Sequence, residues 1–384
     1  MSDIKKIKRK FMHFFRMRRE DRHTFDAMFD RYTFGIPTLL DNLRCLLFDK
    51  PSQKSPFFIL WYVTRNCNCR CSFCNLDLEG TDLNTKQAKD VALQIGRSNT
   101  CVVALSGGEP FIREEIFDII KILRKYKKFV SINTNGLLLE AYCDKIISLG
   151  IEQLEISVDS HLPQIHDRFR NRKGAFEKVI RGIETLRKKR RGERPFIAVR
   201  AVIAKENFKQ LGDYIDFFKD KVNAITFQPL WILSNSSIDN KSQLTPLNKE
   251  DVPKLRHIIK DLAKKHSFLR LPYYQLMPDF IDSPQKLIDN NLFRCLDKSA
   301  FTLQIKYNGD VSLCLHTHRT HFIDADGNSI KGLPLGNVKH DMLMDLWRSE
   351  RCFMIQKYLR SKRNKCICWC AGNYMNTDLA RFFK

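Results

Sequence analysis

"FFILWYVTRNCNCRCSFC", residues 57–74, runs a continuous apolar segment into a loop that packs four cysteines into eight positions: Cys67, Cys69, Cys71 and Cys74. The apolar half, 57–63, predicts a strand buried on both faces. The thiols follow it directly, so the segment poses two questions at once: what sheet the strand belongs to, and what four thiols at its end are for.

The same pattern recurs downstream. "CVVALS" (101–106), "FVSINTN" (129–135), "LEISVD" (154–159), "FIAVRAVIA" (196–204) and "AITFQPL" (224–230) read as five further apolar strands. Helical patterns separate them, at 86–95, 113–126, near 138–149, 174–190 and 207–220. Strands buried on both faces and joined by helical crossovers make a parallel sheet. Six such repeats suit a partial or complete β/α barrel better than a doubly wound sheet. The expected fold class is α/β, a partial (β/α)6 TIM-type barrel with a small cysteine-rich α+β C-terminal extension. In a barrel, chemistry gathers at the C-terminal ends of the strands. The cysteine loop, "SGGEP" (106–110), "TNG" (134–136) and "VDS" (158–160) all end or follow strands, and so converge on one mouth.

Four regions are expected: a basic amphipathic segment at 1–50, the barrel core at 51–232, a linker and helical insert at 233–290, and the extension at 291–384. "SNSSIDNKSQ" marks the linker, and a helical pattern follows at 249–266. Ser283 is placed to cap a further helix through Asn290, with Pro284 at its first position. In the extension, "FTLQIKYNGDVSLCL" (301–315) reads as β pieces around an Asn308-Gly309 turn, with a helix at 341–359 and "KCICWC" (365–370) after it.

The 384 residues are 43% hydrophobic, enough for a sizeable core, and hold no apolar run long enough for a membrane-spanning helix. No apolar h-region of a secretory signal is apparent. Thirteen cysteines without an export signal point to metal ligands or catalysts in a reducing cytoplasm, not to a disulfide framework. The formal charge of +23 is partly local, since residues 5–22 carry nine Lys or Arg among Ile7, Phe11, Phe14 and Phe15 at helical spacing. That segment, residues 1–23, reads either as peripheral contact with the inner face of an anionic membrane or as a solvated helix packing its Phe side on the domain. A second basic run, "RKKRRGER" (187–194), lacks the interleaved aromatics that single-strand binders stack bases on, so nucleic acid is not an expected partner.

The spacing Cys67-x3-Cys71-x2-Cys74 brings three thiols from one loop. Structural zinc takes four protein ligands, commonly as two short pairs. Three thiols at unequal short spacing suit three corners of a cubane iron–sulfur cluster, leaving the fourth iron open to a small molecule. Taken alone, the loop leaves both metals open.

With "CNCRCSFC", "GGEP", "NTNG" (133–136) and "SVDS" (157–160) in this order at strand ends, the chain resembles the radical S-adenosylmethionine (SAM) enzymes over residues 57–232. The resemblance implies a [4Fe–4S] cluster on Cys67, Cys71 and Cys74, and SAM as the cofactor chelating its open iron. It implies cofactor contacts from Gly107, Gly108, Glu109 and Pro110, from Asn135, from Ser157 and Asp159, and from Arg200 on the fifth strand. Cys69 falls where relatives carry an apolar residue, as a spectator. Cys295, Cys314 after Gly309, and the terminal Cys366, Cys368 and Cys370 resemble the twitch or SPASM extension, implying an auxiliary [4Fe–4S] cluster, with zinc as the alternative. The histidines of "HTHRTH" (316–321) read as surface or substrate-facing. Relatives with this architecture abstract hydrogen from peptides or proteins, or act on sugars. The expected partners are therefore a reductant such as flavodoxin or ferredoxin and a peptide, with an anionic or lipid-linked substrate as the alternative. From a different class, a non-catalytic iron–sulfur or electron-transfer protein would keep the same fold.

Overall fold

A computed structural model describes residues 54–74, 80–230, 244–270, 272–283, 301–313, 321–323, 329–331 and 334–360, with Thr38, Asp41 and Asn42. The expected helix at 1–23, most of the 283–290 helix, the histidines at 316 and 318, and Cys295, Cys314, Cys366, Cys368 and Cys370 lie outside the described residues.

The six expected strands are β1 (Phe58–Thr64), β2 (Val102–Gly107), β3 (Phe129–Thr134), β4 (Gln153–Ser157), β5 (Phe196–Ile203) and β6 (Ala224–Pro229). They lie side by side in chain order and every neighbouring pair is parallel. The crossovers are α1 (Thr85–Arg97), α2 (Ile116–Lys125), α3 (Leu139–Ser148), α4 (Pro163–Arg170) with α5 (Ala175–Lys189), and α6 (Leu211–Phe218). The first is fixed by a capping box. Asn84 Oδ1 accepts the Gln87 N–H at 2.9 Å, and Gln87 Oε1 accepts the Asn84 N–H at 3.0 Å.

The sheet does not close. Among the described residues β6 forms one edge, and β1 is extended on its free side by three strands from the C-terminal region. β7 (Thr302–Ile305) pairs with β1 in parallel, from Phe58 opposite Thr302 to Trp61 opposite Ile305. β8 (Asp310–Ser312) returns antiparallel to β7 through the Asn308-Gly309 turn, as its sequence predicts, and the short β11 (Gly336–Asn337) pairs with β8. Gly309 has φ +94°, and a Cβ there would stand 2.5 Å from Asn337 Oδ1, so both the turn and the packing require glycine. β9 (His321–Ile323) and β10 (Ser329–Lys331) form a separate hairpin.

Ile59, Trp61, Val63, Val103, Leu105, Val130, Ile132, Leu154, Ile156, Ile197 and Val199 point to the helices and form one fully buried core. Each such side chain removed from water stabilises the fold by about 1.5–3 kcal/mol. The alternate positions on the concave face include the polar Ser131, Gln153, Glu155, Arg200, Thr226 and, on β7, Gln304, beside apolar ones such as Leu60, Ala104 and Ala198. The concave side is therefore mixed, with polar groups available to a ligand.

The helical insert holds α7 (Val252–Lys265), α8 (Pro272–Gln275) and α9 (Met277–Asp282), which ends at Ser283. Two local expectations differ from the structure. The segment after β4 contains α4, an extra helix begun by Pro163 at its first turn. The helix expected at 341–359 is two, α10 (Leu343–Arg348) and α11 (Glu350–Arg360), because Ser349 adopts an extended ψ of 147° between them. Cys101, Cys143 and Cys352 are buried. No helix among the described residues is long and apolar enough to cross a membrane.

Candidate active site

β1 ends at Thr64, and two clamps fix where the cysteine loop leaves it. Asp82 supplies the first: its Oδ2 accepts the Thr64 hydroxyl at 2.5 Å and its Oδ1 accepts the Arg65 N–H at 3.0 Å. The second is the turn after β2. The Gly108 N–H donates to Thr64 O and the Glu109 N–H donates to Asn66 O, each at 2.8 Å. The two backbones touch so closely that a Cβ on Gly107 would lie 2.3 Å from Thr64 O, and one on Gly108 2.0 Å from Asn66 O. Both glycines of "GGEP" are therefore required by the loop they hold, whatever they do for a ligand. Arg113, buried, donates to Val63 O and, at 2.6 Å, to Leu83 O, bracing the same corner.

Glu109 is fully buried and its carboxylate is spent inside the protein. Oε1 accepts the Phe111 N–H at 3.1 Å and the Thr134 hydroxyl at 2.8 Å; Oε2 accepts the Asn135 N–H at 2.7 Å. Burial pushes its pKa up to about 7, against the pull of these three bonds. Pro110 opens a short 3-10 turn behind it. Asn135 reaches forward from β3: its Nδ2 donates to Asn68 Oδ1 at 2.6 Å and approaches Cys67 Sγ at 3.8 Å. Turn, strand end and cysteine loop thus form one hydrogen-bonded block.

Within the loop, Cys67 and Cys74 are exposed, Cys71 is half-buried and Cys69 is buried at 7% exposure. The Cys69 N–H donates to Cys67 Sγ at 3.4 Å, and the Cys74 N–H donates to Cys71 O at 3.1 Å. The Cys69 thiol is shared between Cys67 and Cys71, which pushes its own pKa up and draws Cys67 down to about 6 and Cys71 to about 7. Thiolates are what a metal cluster binds. A cubane spreads its ligands over separate irons, so three thiols from one exposed loop fit such a cluster.

Below the loop, Asp159 meets a residue that sequence reasoning passed over. Arg170, at the end of α4, is buried; its Nε lies 2.7 Å from Asp159 Oδ2, its Nη1 lies 3.7 Å from Cys71 Sγ, and its guanidinium sits 5.3 Å from the Phe73 ring centroid. Its carbonyl accepts the Arg70 N–H at 3.3 Å, and Arg172 donates to Asn68 O at 2.8 Å. Asp159 is enclosed, with Oδ1 accepting the Val202 N–H at 3.1 Å and its own N–H donating to His166 Nδ1 at 3.2 Å. Burial, with the positive charge of Arg170 nearby, holds the His166 pKa well below the ordinary value and keeps the ring neutral. Asp159 therefore faces the underside of the loop, not the open mouth. Ser157 lies half-buried at the end of β4, opposite Arg200 on β5, and Arg200 pairs with Glu155 on the concave face. The Pro163 helix start was the available signal for α4, but nothing local marks Arg170 as an inward-facing charge.

A thiol loop at the mouth of an open parallel barrel defines an iron–sulfur class of protein. The chain matches the radical SAM superfamily over residues 61–218 and the SPASM iron-sulfur cluster-binding domain over residues 295–372. The chain thus carries a radical SAM domain followed by a C-terminal SPASM domain, and these two domains imply SAM, a [4Fe–4S] cluster and an auxiliary cluster. An AdoMet-dependent heme synthase of Methanosarcina barkeri is 27% identical over 203 residues, 52% of this chain and 57% of that protein. The chain thus spans little more than half the length of that curated relative. Two solved structures share the fold. Streptococcus suis SuiB bound to precursor peptide SuiA has TM-score 0.56 at 16% identity, covering 78% of this chain and 66% of that one. The enzyme anSMEcpe with bound AdoMet and Cp18Cys peptide has TM-score 0.53 at 17% identity, covering 86% and 98%.

Proposed function

We propose that this chain cleaves SAM reductively at a [4Fe–4S] cluster on Cys67, Cys71 and Cys74 and abstracts hydrogen from a peptide or protein substrate. The observation that carries the reading is the cysteine loop locked between β1 and the Gly107–Gly108 turn, with two thiols exposed at the barrel mouth. With one electron delivered by a flavodoxin- or ferredoxin-type donor, the bound cluster supplies the cleavage of the sulfonium to methionine and a 5′-deoxyadenosyl radical. The residues bind and aim. The backbone of Gly107–Pro110 and the Asn135 amide border the place of the cofactor's amino group, whereas the Glu109 carboxylate holds that backbone in shape. Ser157 and Arg200, paired across β4 and β5, receive its carboxylate and ribose. The concave face below them, with its polar groups, meets the substrate.

Both SuiB and anSMEcpe hold peptides, which favours a peptide substrate. The heme synthase relative favours a second reading, a carboxylate-bearing macrocycle. The auxiliary cluster is assigned to Cys295, Cys314 and Cys366 with one or both of Cys368 and Cys370. Anaerobic reconstitution should give about eight irons per chain, against about four with one cubane alone. Dithionite and SAM should then yield 5′-deoxyadenosine, and absence of that product in cluster-loaded protein would overturn the reading. Stimulation of its formation by peptide libraries or by iron porphyrin precursors separates the two substrates.

A further inference from the structure

We propose that Arg170 and Asp159 form a buried charge pair that sets the reduction potential of the cluster on the cysteine loop, with Arg170 favouring the reduced state and Asp159 moderating it. The inference rests on the reading of Cys71 as a cluster ligand.

Arg170 is the buried cation nearest that ligand, with Nη1 3.7 Å from Cys71 Sγ. It cannot swing away. Its backbone carbonyl is bonded to the Arg70 N–H, its guanidinium lies against Phe73, and Asp159 holds Nε at 2.7 Å. Asp159 is fixed in turn. Val202 N–H donates to its carboxylate, and Asn207 Nδ2 donates to Asp159 O and Val202 O, both at 2.8 Å. Besides the loop thiols, the titratable groups facing the pair are His166, held neutral by burial, and the buried Tyr214 hydroxyl, whose pKa burial pushes up. Burial pushes the Asp159 pKa up, and the Arg170 guanidinium in contact with its carboxylate pulls it down. As an ion pair the two set a positive and a negative charge beneath the cluster, the positive one closer.

Reduction adds one negative charge to the cluster and its thiolates. In a poorly solvated interior, a cation within a few ångströms stabilises that added charge far more than it would in water. A carboxylate on its far side opposes it with a smaller effect because it is more distant. If the pair only scaffolded the loop, removing either member would loosen the site without a signed electrical effect. If it tunes the cluster, the two removals act in opposite directions.

The test is a redox titration of the reconstituted enzyme by electron paramagnetic resonance, following the signal that SAM perturbs so that an auxiliary cluster is not counted. Arg170→Gln should make the midpoint more negative, by about 59 mV for a tenfold change in the one-electron equilibrium. Asp159→Asn should make it less negative, and Arg170→Lys, which keeps the charge, should fall between wild type and Arg170→Gln. Where Arg170→Gln holds less iron than wild type, the Arg170→Lys and Asp159→Asn midpoints decide. Shifts of the same sign, unmoved midpoints, or loss of iron from all three variants overturn the proposal. A wild-type chain that takes up no SAM-responsive cluster fails the functional reading instead.

Discussion

The carboxylate of Glu109 accepts the backbone N–H of Asn135 at 2.7 Å, tying the turn after β2 to the end of β3. The Thr134 hydroxyl and the Phe111 N–H complete its shell, so a motif glutamate that sequence reasoning reads as a ligand contact is enclosed by its own fold.

That enclosure has a pH signature. Burial raises the Glu109 pKa from 4.5 to about 7 in the folded chain. Between those values the folded state keeps a proton that the unfolded state has lost, so stability falls as pH rises. The contribution is fully present below pH 4.5 and is lost as pH rises through about 7. At about 1.4 kcal/mol per unit, the loss is about 3 kcal/mol. Glu109→Gln carries no such proton and should gain on wild type across this window, even though it forfeits one buried hydrogen bond worth about 1–3 kcal/mol. Urea denaturation of the metal-free proteins at a series of pH values measures the difference; a difference constant with pH would refute the account.

Gly108→Ala should separate folding from cluster binding. Its Cβ would stand 2.0 Å from Asn66 O, a backbone atom, so the cysteine loop must move. The strands beneath are held by the apolar core and remain. Expected are near-wild-type far-ultraviolet circular dichroism and severalfold lower iron after reconstitution. Gly212→Ala, in the first turn of α6 with a Leu262 methyl 3.4 Å from the added Cβ, should bind iron like wild type. Equal iron in both variants would mean that the turn does not set the loop.

The barrel was legible because its signals are local. Apolar runs such as 57–63 announce strands, and the motifs sit at their ends in chain order. What stayed hidden depends on contacts distant in sequence. Arg170 reads as one more charge in "HDRFR", on a helix whose polar residues suggest solvent; only the fold shows Asp159 waiting behind it. The β1–β7 pairing joins residues more than two hundred positions apart, for which no pattern in either strand is specific. The polar groups of the concave face were also hidden, since single Ser, Asn or Glu residues within apolar runs do not reveal which side they share.

The β1–β7 pairing makes the barrel and the C-terminal region mutually dependent. Phe58 N–H donates to Phe301 O at 3.0 Å, and four residues of each strand are in register. Ending the chain at residue 300 would bare the edge of β1, whose sequence FILWYVT is almost wholly apolar. Exposed apolar edges pair with other chains. The truncated protein should therefore elute as oligomers or aggregate in size-exclusion chromatography under conditions where the full chain is monodisperse. A monodisperse, folded truncation would show that β7 is a dispensable cover.

The four thiols divide into three and one. Cys69 is buried, its N–H donates to Cys67 Sγ, and its thiol lies between Cys67 and Cys71 with its pKa pushed up, the reverse of what metal ligation asks of a cysteine. Cys67, Cys71 and Cys74 alone keep the x3, x2 spacing, and Cys67 and Cys74 are exposed on the open side. Cys69→Ala should therefore load iron and form 5′-deoxyadenosine at close to the wild-type level, with only a small loss of stability from the missing sulfur. Alanine at Cys67, Cys71 or Cys74 should abolish the SAM-responsive cluster while any auxiliary cluster remains. The measurement is iron per chain together with the resonance signal before and after SAM. If Cys69→Ala loses the responsive signal and one of the other three keeps it, the loop binds in a different register, and the place assigned to Arg170 beneath Cys71 moves with it.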